Sequence, residues 1–534
     1  MTVPKLVDPS GRPLVRASAA MSAHDAAALD SQELGNWWPM TGSADRMVLA
    51  ESRTITDRAR DWARNDGIAA GAVTTARDWI IGHNIRPDPL PDARALGITQ
   101  DQAFELADQM ATQWVLATSD PRRLIDASRH DTWGGLSGLM FNHRYVDGEA
   151  VGVILWRPRG GDYATCLQVV DPDRVSNPDG ESDGPRLRKG IRYDGDGAMT
   201  GAHIRKSHPH DVGLVDAEAW SWDFIPRETP WGRPMLIHDY DKSRAEQSRG
   251  VSKFAPVMRT GKMLDKQFAA EQQIALLNAT LGAVAESPFD HEFLMEILGD
   301  TGGEKSFQRY QGLRKEFHDK RQVSIGGVRI PIMFPGERIN FMTATRPSSG
   351  LGPFAVKMME KVAAALPGHT YATLTQDYSR SNYSSERSNL LSSARSVLAE
   401  RFSFAVRTGT PLYHAVMEEA FMAGRITPPA GAPDFHDAVA AYLRAEWVGP
   451  ADGWIDPLKE AQAALARMEG GLSTLRDECA RQGTDYRQVI TQRARERRMW
   501  AENGLPDPNL PAIMSAGGGQ AYPSDPPPEP PKGP

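Results

Sequence analysis

Two cysteines in 534 residues, Cys166 and Cys479, stand far apart with no second thiol near either. That excludes a disulfide framework or a zinc–thiolate site and points to a reducing cytoplasm. No stretch of about 18 apolar residues occurs, and the N-terminus lacks a charged-then-apolar signal pattern. Both absences speak against a secreted or membrane-spanning chain. Positive charge is not in excess either: 61 Lys and Arg against 68 Asp and Glu leave a formal net charge of −7. Proteins that grip DNA by neutralising phosphates run basic, which argues against a repressor or a nuclease with a basic cleft. Missing too are a glycine-rich phosphate cradle followed by Lys and Ser/Thr, paired-histidine metalloprotease spacing, and any internal repeat. The chain is therefore not an ATP-driven motor.

What is present is ordinary for a folded protein: 40% hydrophobic and 24% charged residues, in a length that suggests two or more domains or one elongated subunit. Residues 1–45 are rich in Ala, Ser, Asp and Pro and read as a flexible arm. Apolar spacing predicts helices from Asp57 to Ile81 with a break near Gly67, from Thr99 to Ala117, and from Gly134 to Val146. Strand-like runs follow at Ala150–Trp156, Cys166–Val170, Gly190–Tyr193, Trp220–Ile225 and Met235–Tyr240, with Asp194–Gly197 (DGDG) as a tight turn. Lys253–Ala285 is the longest helical candidate. A charged helix near Lys305–Lys320 and short strands at Val323–Ile332 and Glu337–Met342 separate it from a second helix, Gly352–Leu366, stopped by Pro367-Gly368. Further helices run from Thr410 to Ala423, from Asp456 as cap to Gly470-Gly471, and from Thr484 to Trp500. The Pro-rich tail from Gly504 reads as disordered. This order is α+β rather than repeating βαβ.

The stretch Thr375–Arg407 begins as a polar loop with seven hydroxyl side chains before Glu386 and runs straight into a helix. Ser384 or Ser385 can cap that helix, and Leu390, Ala394, Val397, Leu398, Phe402 and Ala405 make one apolar face. Such a unit can present a polar tip to a large partner, or be a core helix behind a surface loop. No catalytic constellation assembles. Asp171–Arg174 (DPDR) reads as a proline turn with an exposed ion pair. His203, His208 and His210 lack zinc-site geometry and read as a solvated loop. His414–Glu419 (HAVMEE) does not have metal spacing. No metal and no cofactor is called for.

DYSRSNYSSERSNLL (Asp377–Leu391) resembles the signature of lambda-type portal proteins of tailed bacteriophages. Arg58–Pro87, Val146–Arg157, Leu167–Pro178, His203–Pro209, His238–Met258 and Trp454–Glu496 are similar to further family segments, in family order. The resemblance implies a portal fold with an α/β wing, a two-helix stem, a small mixed α/β clip and a helical C-terminal crown. Applied to this chain it divides into arm 1–45, wing 46–245, stem helix 246–285, clip 286–346 and second stem helix 347–368. Tunnel loop 369–385, long helix and wing return 386–450, crown 451–503 and tail 504–534 complete the order.

It implies a non-enzymatic ring of about twelve subunits at one capsid vertex, through which double-stranded DNA is packaged and ejected. Partners would be the terminase large subunit, major capsid or scaffold proteins, and head–tail connector proteins. No membrane is involved: the protein would reside in the virion after assembly in the bacterial cytoplasm, and its arm can be trimmed during maturation. Thr373, Thr375, Gln376, Ser379, Arg380 and Ser381 of the loop, with stem residues Lys262, Lys266, Lys357 and Lys361, would face DNA. Arg314, Lys315, Lys320 and Arg321 would face terminase. A non-conducting adaptor or scaffold, or a DNA-processing enzyme, are the alternative readings.

Overall fold

The computed structural model describes residues 36–211, 220–280, 348–380, 382–451 and 456–505, together with short elements between 284 and 340. It is a mixed helix-and-sheet molecule. Helix α1 (Ala44–Asn65) starts well before Asp57, because Ser43 caps it by accepting from the Arg46 amide. Its first half buries only Ala44, so there is no apolar stripe there to read. Asp66 caps α2 (Gly67–Ile80), whose buried face is Ala69, Ala72, Ala76 and Ile80. That smooth face lets other helices approach closely. Strand β1 (Arg86–Pro89), α3 (Ala93–Leu96), α4 (Gln100–Thr118) and α5 (Trp133–Val146) follow. Thr99 closes a reciprocal capping box on α4.

Strand β2 (Glu149–Trp156) is the centre of an antiparallel sheet, flanked by β3 (Thr165–Val170) and β8 (Leu236–Tyr240). A second antiparallel sheet runs β4 (Leu187–Arg188), β5 (Ile191–Tyr193), β6 (Met199–Arg205), β7 (Trp222–Pro226) in that order. The DGDG turn lies between β5 and β6, with Asp194 accepting from the Asp196 and Ala198 amides. Strand β6 was not anticipated as a separate strand.

Helix α6 (Met258–Thr280) is shorter than the expected Lys253–Ala285. Before it, Ser252 Oγ accepts from the Phe254 amide and Phe254 enters the core, making a turn. Beyond it lies β9 (Val284–Glu286), paired with β12 (Arg338–Asn340), and the hairpin β10 (Gln322–Ile325) with β11 (Val328–Pro331). Helix α7 (Ser348–Ala365) packs beside α6. Then come α8 (Tyr371–Thr375), α9 (Tyr383–Phe404), a π-helical turn at Ala405–Gly409, and α10 (Thr410–Met422). The chain closes with α11 (Val439–Tyr442), β13 (Ala445–Val448) paired to β1, α12 (Pro457–Glu469), α13 (Leu475–Arg481) and α14 (Tyr486–Glu502). Asp456 and Pro457 start α12 as expected. Of the expected arm 1–45, residues 1–35 lie outside the described residues while Ala44 and Asp45 already belong to α1; of the expected tail 504–534, residues 506–534 lie outside them.

One core joins most of the helices to β2, β3 and β8. At its centre the Trp114 ring meets Trp133, Tyr413 and Trp447 edge-on at 5.8, 5.7 and 6.0 Å, a preferred aromatic geometry. Among the described residues no helix is long and apolar enough to cross a membrane.

Candidate functional site

The polar segment between α7 and α9 is not one open loop. Its first part folds into α8, where Thr370 and Thr373 form a reciprocal capping box. Thr373 is consequently buried and its hydroxyl donates to the Thr370 carbonyl. It does not present itself to solvent, which corrects the expectation that it faces DNA. Thr375 is half-buried and donates to the Tyr371 carbonyl at 2.8 Å. Gln376 closes the short helix in the left-handed region at φ 59° and is exposed.

Asp377 then organises the tip. It accepts from the Ser379 hydroxyl at 2.6 Å, the Ser379 amide and the Tyr371 hydroxyl. The Ser379 hydroxyl, foremost among these, holds the Asp377 carboxyl below the usual carboxylate range. Ser379 and Arg380 are exposed, and Ser381 lies outside the described residues. Helix α9 begins at Tyr383, which puts Ser384 and Ser385 within its first turn.

The front of this segment is tied to α2, and so is the far end of the helix that follows it. At the front, His369 is buried and its Nε2–H donates to the Ala72 carbonyl at 3.1 Å. Its Nδ1 meets no partner among the described residues. Burial therefore pushes the imidazole down to about 4, against the weaker opposing pull of the Ala72 carbonyl. At the back, Arg401 donates to the Trp79 and Ile80 carbonyls at 2.9 and 3.0 Å. Those are terminal carbonyls of α2, where a cation is favoured.

Of the expected apolar stripe, Val397 on α9 and Ala405 just after it stay in the core, but the inner face also turns charged groups inward. Arg144, fully buried on α5, bonds Asp239 at 2.8 Å, Asp241 at 2.8 Å, and Glu400 at 3.2 Å. It also reaches Ser403 at 2.8 Å. Lys253 bridges Asp241 and Glu400 at 2.7 and 2.8 Å, while Arg407 meets Asp241 and Thr408 donates to Asp239 at 2.8 Å. Three cations face three carboxylates here. Burial pushes the Asp239 carboxyl up against the pull of Arg144, whereas Asp241, less buried, is held below its ordinary value by Arg144 and Lys253. Because Glu400, Arg401 and Ser403 must point inward, α9 is rotated, and Leu398 and Phe402 are 52% and 72% exposed. Their expected place in the core is thus corrected.

The stem-type lysines Lys262, Lys266, Lys357 and Lys361 are all exposed. Lys262 pairs with Asp265 at 3.6 Å and Lys357 with Glu360 at 2.6 Å within their own helices. Such exposed pairs contribute little stability. Lys315 is exposed, and Arg314, Lys320 and Arg321 lie outside the described residues.

The other candidates resolve into structure. Asp171 and Asp173 do form a turn, but their ion-pair partner is Arg60, at 2.9 and 2.6 Å, which also bonds Asp147 at 2.7 Å. The two aspartates and His208 offer three ligand atoms within 4.8 Å of one another; the Arg60 guanidinium already supplies positive charge there. Arg174 instead donates to the Arg205 and Lys206 carbonyls. His203 lies on β6 against the Phe224 ring, and His210 meets Arg53, so the three histidines are neither one cluster nor one solvated loop. Glu418 binds Arg233 at 2.7 Å, and Glu419 accepts from the Ala164 and Thr165 amides at 2.7 and 2.9 Å.

The family model for phage portal proteins, lambda family, matches residues 30–401. The chain is 31% identical over 501 residues to the portal protein of Escherichia phage N15, covering 93% of each. It is 29% identical over 512 residues to portal protein B of Escherichia phage lambda, covering 95% of each. A probable portal protein of Halomonas phage phiHAP-1 matches at 24% over 492 residues, 91% of this chain and 88% of that one. In outline the fold is similar to a chain in the neck of an empty gene transfer agent particle, with a TM-score of 0.43 and 12% identity over 81% of this chain and 94% of that chain. The class is therefore that of structural, non-enzymatic virion proteins. The chain belongs to the lambda family of phage portal proteins.

Proposed function

We propose that copies of this chain close into a ring of about twelve at one capsid vertex, and that double-stranded DNA passes through the axial hole. The terminase large subunit would drive DNA inward during packaging, and the same hole would release it towards the tail through head–tail connector proteins. In this reading α6 and α7 are the stem, the β9–β12 segment the clip, residues 369–385 the tunnel segment, and α12–α14 the crown. The wing comprises the remaining helices and both sheets.

The observation that carries the reading is the anchoring of the polar tip. Gln376, Ser379 and Arg380 are exposed around the half-buried Asp377 carboxylate, while His369 fixes the front of the segment to α2 and Arg401 fixes the far end of α9 to it. A polar finger anchored at its front, beside the two long packed helices α6 and α7, suits contact with a moving polyanion. Hydroxyl and amide groups touch phosphate weakly and through water, without stripping many counterions. Gln376, Ser379 and Arg380, with Thr375 at the margin and the four exposed lysines, make that lining. Thr373 is excluded.

The test is electron microscopy of the recombinant full chain. End-on rings with an axial hole wide enough for a duplex are expected. A particle that stays a compact monomer under all assembly conditions sinks the reading, and closed assemblies without such a hole replace it with a non-conducting adaptor.

A further inference from the structure

Turning Glu400, Arg401 and Ser403 inward has a consequence on the opposite side of α9. Arg387, Leu391, Arg395, Leu398 and Phe402 fall at steps of four, four, three and four residues, and all are exposed. At 100° per residue they share one narrow face, about 22 Å long at 1.5 Å per residue. Leu391 is 63% exposed and Phe402 72%. Leu398 and Phe402 adjoin on it and Leu391 lies beyond Arg395; clustered exposed apolar residues rimmed by charge mark an interaction surface, whereas single ones do not.

A second helix carries a matching face. On α4, Asp101, Phe104, Glu105, Asp108, Val115 and Leu116 are exposed and span a face of the same length. Phe104 is 57% and Leu116 56% exposed. The two faces have the same apolar character and opposite charge: arginines flank one and carboxylates the other. Asp108 is engaged by Arg487 of α14, and Glu105 accepts weakly from Gln109, so Asp101 and Glu105 carry most of the complementarity. Laid side by side in the same direction, the charged first halves meet, and Val115 and Leu116 come against Leu398 and Phe402. Within one chain α4 packs on β1, α3 and α10, and α9 packs on α2, so both outer faces are presented at once.

We propose that the α9 stripe of one copy seats on the α4 face of the next, a head-to-tail contact between two different surfaces. The occupant is a second copy of this chain because the chain itself carries both complementary halves. Heterologous contacts of this kind close rings, and the proposal rests on the ring reading above. Charge pairing across it would set the register more than the affinity.

The experiment uses the full chain and follows particle mass by sedimentation velocity. Two double variants, L398E/F402E and F104E/L116E, alter only exposed positions, and circular dichroism melts should match wild type. Each alone should lose ring assembly and sediment as a monomer. Mixed one to one, they should form a species of twice the 58.6 kDa chain mass, since only one good α9 face and one good α4 face remain. In addition, R387E/R395E should weaken assembly at least tenfold, and D101R/E105R in the same chain should restore it. Rings from either double variant, or a mixture that stays monomeric, overturn the contact while wild-type rings leave the ring reading standing. Wild-type chains that never assemble bring down both.

Discussion

His369 carries no charge at neutral pH, because protonating it would add an N–H donor at a buried Nδ1 that meets no partner among the described residues. Its folded value lies near 4, below the ordinary 6.5 of the unfolded chain. Between those values the unfolded state binds the extra proton, so unfolding free energy rises with pH across that window. The contribution is complete above about pH 6.5 and is lost as pH falls towards 4, amounting to about 2 kcal/mol by pH 5. His369→Gln keeps a donor for the Ala72 carbonyl while removing the titration. Melting both proteins at pH 7 and pH 5 should show the wild type losing more than the variant. Equal losses would remove His369 as the acid-sensitive anchor. Other depressed histidines, His203 and His414 among them, are common to both proteins and cancel in the comparison.

At the scale of elements, glycine placement separates close approach from wasted flexibility. Near the start of α6, a Cβ at Gly261 would fall 2.1 Å from the Trp62 ring of α1. The indole fills the space a side chain would take, and this seats α6 on α1. Gly71, in the middle of α2, has nothing within 4 Å of such a Cβ. Gly261→Ala should therefore destabilise by about 1–3 kcal/mol through overpacking. Gly71→Ala should stabilise by about 0.5–1 kcal/mol, by relieving the unfolded chain of conformational freedom. Urea titration of both variants checks the pair of signs; the same sign for both would refute the packing argument. The π-helical turn after α9 belongs here too. Its extra residue lets Arg407 and Thr408 both reach β8, at the Tyr240 carbonyl and Asp239, so one helical segment is pinned to the sheet and to Arg144 together.

For the whole molecule, the net charge of −7 becomes roughly −84 in a twelve-fold ring. A conduit of that sign should not hold its cargo. Duplex DNA titrated against assembled rings at physiological salt is expected to bind more weakly than about 10⁻⁶ M, within the range of sequence-independent contact. Fluorescence anisotropy with a short labelled duplex measures this. Binding near 10⁻⁸ M would describe a clamp and would contradict a channel that releases DNA. The exposed lysines of α6 and α7 do not reverse the expectation, since Lys262 and Lys357 already face carboxylates in their own helices.

The sequence by itself determined the order of the long helices and of most strands of the central sheet, and the family. Caps such as Thr99 and Asp456, stops such as Pro367-Gly368, and the continuous apolar run of β2 are local signals, written within a few residues of where they act. The signature from Asp377 to Leu391 was likewise legible as a string. The tertiary structure alone decided which way α9 faces. Apolar spacing placed Leu398 and Phe402 inside, but a buried Arg144 on a distant helix required Glu400 and Ser403 as partners. Leaving a buried guanidinium unmatched costs more than exposing two apolar side chains. Thr373 went inward for a related reason, because a capping box satisfies the amides at the start of α8 that an open loop would have left to solvent. The strand partners of β1 and the anchors at His369 and Arg401 were equally unreadable. Each joins residues hundreds of positions apart, and nothing local in the sequence records which pair will meet.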